Sequence, residues 1–251
     1  MKYAIITGAS RGLGNATAKK LIEKGYTLFC ISRKQDMEIV KKAYEKNVEL
    51  NYYEFDLSNV ELIEGLMDDV FEKISAGEAE SLYLINNASV VSPLRPISKC
   101  ESGSIIKNIK VDLLAPIILI STFIRLSEKM EIQKRIVNIS SGAAYGPMHG
   151  AACYCSAKAG IEMLTKCVGI EEEGKEHPVK VMSFTPGIMD TEMQREVRSS
   201  NEQDFAELKR FKNYKKKGML TKPEIVAEKV VKLIECRDFK QGESIDVSDI
   251  E

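Results

Sequence analysis

The sequence predicts an α/β fold: a single domain in which a doubly wound, seven-stranded parallel sheet carries helices on both faces. Three observations lead there. Short apolar runs alternate with helical patterns along the chain. Several of these runs are continuously apolar, as strands covered on both faces are. The first run, Tyr3-Ala4-Ile5-Ile6, leads into a glycine-rich turn, Thr7-Gly8-Ala9-Ser10-Arg11-Gly12-Leu13-Gly14, which opens a helical pattern.

Taken in order, the first strand is expected over 2–6 and the first helix over 12–24. A strand over 27–32 follows, with Cys30 as a small core hydrophobe, then a helix over 35–46. After a strand over 49–55, Asp56-Leu57-Ser58 supplies capping residues for a helix over 60–74. A strand over 82–86 precedes a long helix over 101–128. Its most apolar stretch, 113–124, contains Pro116 and falls well short of the ~20 residues that cross a bilayer, so a buried helix is expected. Strand 135–140, helix 154–173, strand 179–184, helix 223–236 and strand 244–247 complete the series. No proline- or glycine-rich linker divides it and no internal repeat is present, so one domain spanning 1–251 is expected.

Segment 190–220 breaks the alternation, being too long for an ordinary connection. It carries Met193, Phe205, Leu208, Phe211, Tyr214 and Met219 among many charges. Ligands of open α/β sheets bind beyond the carboxyl ends of the strands. The segment leaves one such end, so it reads as a substrate lid, or as an amphipathic helix pair packed on the sheet, or both. Lys215-Lys216-Lys217 reads as a solvated face.

The bulk properties exclude several classes. A hydrophobic content of 44% suits a full globular core, and a formal net charge of −1 points to no nucleic acid partner. No basic-then-apolar leader and no membrane segment are expected. Six scattered cysteines without a secretion signal suggest a reducing cytoplasm rather than a disulfide framework. His149-x3-Cys153-x-Cys155 has no second ligand pair, so no metal is expected.

The chemistry rests on Tyr154 and Lys158, one helical turn apart, with Ser141 upstream. A free tyrosine has a pKa of about 10. An ammonium beside it favours the phenolate, making the tyrosine a usable proton donor and acceptor. A serine hydroxyl nearby can hold a carbonyl oxygen. With a dinucleotide at the glycine turn, these parts would make a carbonyl reductase or alcohol dehydrogenase. No Gly-Lys-Ser/Thr follows the glycines, which disfavours a nucleoside triphosphate loop. At the end of the second strand, where an acidic residue would accept the ribose 2′-hydroxyl of NAD, stand Ser32 and Arg33. Arg11 lies within the turn. Two guanidinium groups suit a 2′-phosphate, so NADPH is favoured. Asp36 is the rival acidic candidate.

These motifs, with Asp56-Leu57, Asn86-Asn87-Ala88 and Pro186-Gly187 with Thr191, resemble the classical short-chain dehydrogenases/reductases over essentially the whole chain. A closer resemblance is to their sepiapterin-reductase-like branch, and within it to bacterial benzil reductases. It is carried by 140–144, 154–160, 186–194, Arg198-Ser199-Ser200 and Asp204-Phe205. The resemblance implies a Rossmann fold and a homodimer or homotetramer built on the helices of 101–128 and 154–173. It implies that Tyr154 protonates the carbonyl oxygen as hydride arrives, that Ser141 hydrogen-bonds that oxygen, and that Lys158 binds the nicotinamide ribose and lowers the tyrosine pKa. Asp56 and Leu57 would bracket the adenine, and Asn87 and Ala88 would line a ribose. Gly8, Ser10, Gly12, Leu13 and Gly14 would form the tight cofactor-binding turn, with the helix N-terminus after it facing the pyrophosphate. The Ile188 backbone and Thr191 would hold the carboxamide, and Pro186 and Gly187 would also bind the cofactor. Ala143, Tyr145, Met148, Met189 and Met193 are expected on the substrate side.

Two positions depart from the family pattern. Ser89 replaces a glycine, at some cost if the site needs positive φ. Asp112 replaces an asparagine that supports a water chain to the active-site lysine. An ionised carboxylate accepts hydrogen bonds but donates none. If Asp112 takes the relay position, it should face Lys158 directly or through water. The small-molecule substrate implied is a ketone or 1,2-diketone. A lipid, sugar or pterin carbonyl, or a non-catalytic dinucleotide sensor, stands as the alternative.

Overall fold

The computed structural model describes residues 1–250. Strands β1 (Lys2–Thr7), β2 (Thr27–Ser32), β3 (Leu50–Glu54), β4 (Ser81–Asn86), β5 (Gln133–Ile139), β6 (Val179–Thr185) and β7 (Ser244–Asp246) form one sheet. Its order is β3-β2-β1-β4-β5-β6-β7, and all pairs are parallel. The order reverses beside β1, between β2 and β4. That switch point opens a crevice at the carboxyl ends of the strands.

Strand side chains alternate between two cores. Ala4 and Ile6 face α1 (Gly12–Glu23), α2 (Met37–Glu45) and α9 (Pro223–Glu235), while Tyr3 and Ile5 face α3 (Ile63–Glu72) and α5 (Ala115–Ser127). Burial on both faces explains why β2 and β4 are fully buried and continuously apolar in their middles. Asp36 caps α2, accepting from the backbone N–H of Glu38 (2.8 Å) and Ile39 (3.1 Å).

The single helix expected over 101–128 is interrupted. Helix α4 (Ser102–Ile109) passes through a wide π turn, Lys110–Leu114, into α5. There the Ala115 N–H bonds the Lys110 carbonyl five residues back. Pro116 gives the physical reason: it has no N–H for the Asp112 carbonyl, and its ring crowds that carbonyl in an ordinary α turn. The turn places Asp112 in the interior, 1% exposed.

Helix α6 (Ala152–Glu172) packs against β6 and the π turn. The segment after β6 contains α7 (Glu192–Arg198) and α8 (Leu208–Lys216), which pack on each other. Phe205, Phe211 and Tyr214 form a ring-to-ring series with centroids 5.7 and 5.9 Å apart. Val197, Phe205 and Leu208 join Val91, Ala143, Ala151 and Tyr154 in a third, small apolar cluster. The amphipathic pair packs on the body of the protein, and Met193, Val197, Phe205, Phe211 and Tyr214 of this segment line the crevice. Met219 is exposed and takes no part in that cluster.

Candidate active site

A cleft of about 620 Å³ runs across the switch point. One half is built on the glycine turn. Gly8 (φ +69°) and Gly12 (φ +58°) adopt the left-handed conformation that side chains disfavour. The turn is drawn tightly against the end of β4. The Asn87 side-chain amide donates to the carbonyls of Thr7 (2.9 Å) and Gly8 (3.3 Å), while the Asn87 and Ala88 N–H groups reach the Thr7 hydroxyl. A Cβ on Gly14 would lie 2.4 Å from Asn87 Nδ2 and 2.5 Å from the Gly8 oxygen. Gly14 therefore serves close packing behind the turn, which lets the turn be tight, and does not itself line the cleft.

Ser10, Arg11, Gly12 and Leu13 do line it, at the start of α1. Arg11 is the N-cap residue of that helix, with extended backbone and no side-chain cap, so the first-turn N–H groups face the cleft. Ser32, Arg33, Asp56 and Leu57 form the far wall. Burial opposes ionisation of Asp56, but hydrogen bonds from Ser58 and the charges of Lys107 and Arg33 hold its carboxyl below the usual range. Asp36 is withdrawn: besides capping α2, its Oδ2 accepts from the Asn15 amide at 2.9 Å. A glycine cradle, an open helix N-terminus and two guanidinium groups fit a phosphorylated dinucleotide. Lys107, reaching in from α4, is a wall residue that motif reading misses.

Where the two halves meet stand Ser141, Tyr154 and Lys158. Ser141, two residues beyond β5, caps the short turn Gly142–Ala144, accepting from the Ala143 N–H at 3.2 Å. Tyr154, Lys158 and Glu162 follow one stripe of α6 at four-residue intervals. The Lys158 ammonium donates to the Ile139 carbonyl (2.9 Å) and lies 5.7 Å from the Tyr154 ring centre. Glu162 accepts from the hydroxyls of Ser183 (2.7 Å) and Ser244.

Burial decides the protonation of this group. It pushes the Tyr154 phenol well above its ordinary value, the Asp112 charge adds to the rise, and the Ser141 and Ser89 hydroxyls pull the other way. Burial also lowers the Lys158 pKa, against the attraction of Asp112 and Glu162. The expected depression of the tyrosine pKa by Lys158 is thus outweighed in the protein alone: both groups are desolvated, and each resists its charged form.

Asp112 lies near enough to Lys158 for the two charges to interact, with no direct hydrogen bond between them. Buried behind the cleft wall, it does not line the cleft itself, but both of its hydrogen-bond partners do. Its Oδ2 accepts from the Ser89 hydroxyl (2.5 Å) and its Oδ1 from the Val90 N–H (2.7 Å). Burial pushes its carboxyl up to about 6, although the Lys158 charge and both hydrogen bonds favour the ionised form. Ser89 itself carries no positive φ, so the serine costs no strain.

Beyond Tyr154 the cleft turns apolar. Ala143, Met148, Met189 and Met193 line the cleft, as do Pro186, Gly187, Ile188 and Thr191. Thr191 also caps α7, accepting from the Gln194 N–H at 3.4 Å. Tyr145 does not line the cleft: it is 61% exposed and faces Ser244 and Glu162. Val91, Leu94 and Val197 were not anticipated on this wall. The first two follow β4, whose carboxyl end the ligand rule points to.

One backbone contact of segment 190–220 leaves no room for a side chain. Gly150 (φ +83°) precedes α6, and a Cβ there would lie 2.1 Å from the Asp204 carbonyl oxygen. Gly150→Ala must therefore push the backbone of 204–205, with buried Phe205, away from Tyr154. We expect kcat/KM for a carbonyl substrate to fall about tenfold or more, with dinucleotide affinity unchanged. Steady-state kinetics beside a cofactor titration check this, and unchanged kinetics would detach the segment from the substrate site.

Fold and site together define a dinucleotide-dependent oxidoreductase of the Rossmann type, and comparison with known proteins places the chain more closely. Residues 2–202 match the family model described as short chain dehydrogenase, and the chain belongs to that family. It is 42% identical over 249 residues to a benzil reductase ((S)-benzoin forming) of Bacillus cereus, covering 99% of this chain and 100% of that protein. It is 30% identical to the sepiapterin reductase of Xenopus laevis, over 98% and 95% of the two chains. Among solved structures, the 4-hydroxyisoleucine dehydrogenase complexed with NADH is 25% identical, with a TM-score of 0.81 and coverage of 98% and 96%.

Proposed function

We propose that the protein is an NADPH-dependent carbonyl reductase acting on a ketone or 1,2-diketone of the benzil type. The observation that carries this reading is the make-up of the cleft. Ser141, Tyr154 and Lys158 stand where a polar glycine-turn half meets an apolar half lined by Val91, Leu94, Met148, Met193 and Phe205. A diketone flanked by aromatic rings needs apolar walls on both sides of its carbonyls and one proton donor between them. The full-length likeness to a benzil reductase supports the same substrate class.

When bound, the reduced nicotinamide supplies the hydride. The Ser141 hydroxyl donates to the substrate carbonyl oxygen and fixes its position. Tyr154 gives that oxygen its proton as negative charge develops there. Burial keeps the phenol protonated until that moment. The Lys158 ammonium, on the same helix face, stabilises the phenolate left behind and holds the ribose. Arg11 and Arg33 take the 2′-phosphate, Asp56 and Leu57 the adenine, and Asn87 and Ala88 the adjoining ribose. Pro186 to Ile188 and Thr191 face the carboxamide.

The same reading gives the subunit contact of a homodimer or homotetramer to α4, α5 and α6, which expose Ile106, Ile117, Met163 and Ile170. Among the described residues no helix is long and apolar enough to cross a membrane. All six cysteines are free, in keeping with a cytoplasmic setting.

The test is NADPH consumption with benzil, a simple ketone, a sugar ketone and a pterin carbonyl, with products identified by chiral chromatography. We expect turnover of benzil to a benzoin, at the highest kcat/KM of the panel. Preference for the pterin would move the substrate class. NADPH binding without turnover of any carbonyl would leave a dinucleotide sensor.

A further inference from the structure

Ser89 and Asp112 are separated by 23 positions, yet they are bonded to each other. Ser89 lines the cleft beside Tyr154, whereas Asp112 lies behind it in the π turn. Ser89 and Tyr154 line the same cleft, and the Ser89 hydroxyl favours the ionised form of the phenol. One hydroxyl thus stands between a buried carboxyl and the proposed proton donor. It has a single hydrogen, so it donates to only one neighbour at a time.

Neighbouring bonds restrict the alternatives. The Val90 N–H holds Asp112 Oδ1, and the Asn108 amide holds the Val90 and Ser92 carbonyls at 2.9 Å each, so the loop is clamped to α4 and the π turn. Asp112 Oδ2 is left for Ser89. The titratable groups facing this unit both come from α6: Lys158, which attracts the Asp112 charge, and Tyr154, which is repelled by it.

We infer that Ser89 and Asp112 act as one positioning unit that sets the direction of the hydrogen bonds at Tyr154, making proton donation fastest when the Asp112 carboxyl is neutral. The inference rests on the reductase reading for its kinetic consequence. With Asp112 ionised, the Ser89 hydrogen is committed to the carboxylate. The phenol then meets a serine lone pair and keeps its own hydrogen. With Asp112 neutral, the carboxyl O–H donates to Ser89 Oγ, and the Ser89 hydrogen turns to the tyrosine oxygen, where it stabilises the phenolate. The hydrogen changes acceptor without leaving its oxygen. No proton passes through Asp112, and the proton given to substrate is that of Tyr154. The Asp112 charge acts in the same sense, since repulsion of the phenolate disappears when the carboxyl is neutral.

Asp112→Asn imitates the neutral state: its amide oxygen accepts from Val90 and its amide nitrogen donates to Ser89. The wild type should lose about tenfold in kcat as pH rises through the Asp112 titration, and Asp112→Asn should hold the higher rate across that range. Ser89→Ala should shrink the step. A step retained in Asp112→Asn, or unchanged in Ser89→Ala, would overturn the inference. A second measurement needs no turnover: the Asp112 carboxyl is followed by carbon NMR on aspartate-labelled protein, assigned by its absence in Asp112→Asn. Ser89→Ala removes a donor to the carboxylate and should raise the titration midpoint; a midpoint that does not move counts against the unit. If the wild type reduces no carbonyl, the reductase reading fails, while the NMR titration still decides whether Ser89 and Asp112 are coupled. Circular dichroism of each variant confirms the fold.

Discussion

Tyr154→Phe is expected to lower the rate of carbonyl reduction by about 10²–10⁴-fold, the usual worth of a general acid, while NADPH affinity stays close to that of the wild type. The substitution removes the hydroxyl and keeps the ring. Tyr154 is 8% exposed and packs in the small cluster with Val91, Ala143 and Phe205, so the phenyl ring preserves the cleft wall. No other acid stands in its place. Ser141 has a hydroxyl far too weakly acidic to donate outright, Lys158 is turned toward the Ile139 carbonyl, and Asp112 lies behind the wall. Lys158→Met gives the contrast: the same ammonium serves ribose and phenolate, so affinity and turnover should fall together. Single-turnover kinetics with benzil and fluorescence titration of NADPH measure both quantities. Substantial turnover by Tyr154→Phe would mean that another group supplies the proton.

The parts of this site that sequence discloses are those whose chemistry is local. The glycine turn, its following helix and the Tyr154–Lys158 spacing each lie within a few residues, and the backbone places them wherever the chain goes. The sheet is legible for a related reason: burial on both faces makes a strand such as Thr27–Ser32 uniformly apolar at its centre, and its ends agree with the expectation. Three features resist because distant contacts make them. Gly14 looks like one more glycine of the cofactor turn, and only the approach of Asn87 shows that it is a packing position. The π turn differs from an α turn by one residue per loop, too little for periodicity to register, and Pro116 is its only local trace. Ser89 and Asp112 read as two separate departures, each with its own cost. Their hydrogen bond depends on the loop after β4 lying against the π turn, which no spacing in the chain reveals.

Arg11→Ala combined with Arg33→Ala is expected to erase most of the preference for NADPH over NADH. The end of β2 offers no free carboxylate for a ribose 2′-hydroxyl. The Ser32 hydroxyl donates to the Lys34 carbonyl (2.9 Å) and shares a hydrogen with the Tyr52 hydroxyl (2.6 Å). Asp36 is spent on the α2 cap and on Asn15. A 2′-hydroxyl therefore finds little there, whereas a 2′-phosphate finds two guanidinium groups on the same cleft, neither of them in an ion pair among the described residues. Each charge-assisted contact is worth roughly 1.5–3 kcal/mol, or about 10–100-fold in affinity, with the lower end favoured because both side chains are exposed and screened. Removing one arginine should cost part of the preference, and removing both should bring the two cofactors within a few-fold of each other. The loss must fall on NADPH, since NADH has no group for these charges to hold. Salt supplies an independent check. NADPH affinity should weaken with ionic strength in the wild type much more than NADH affinity does, and the difference should vanish in the double variant. Titration of both cofactors at low and high salt measures all of this. Equal wild-type affinities, or a preference that survives the double substitution, would assign cofactor choice to another part of the cleft.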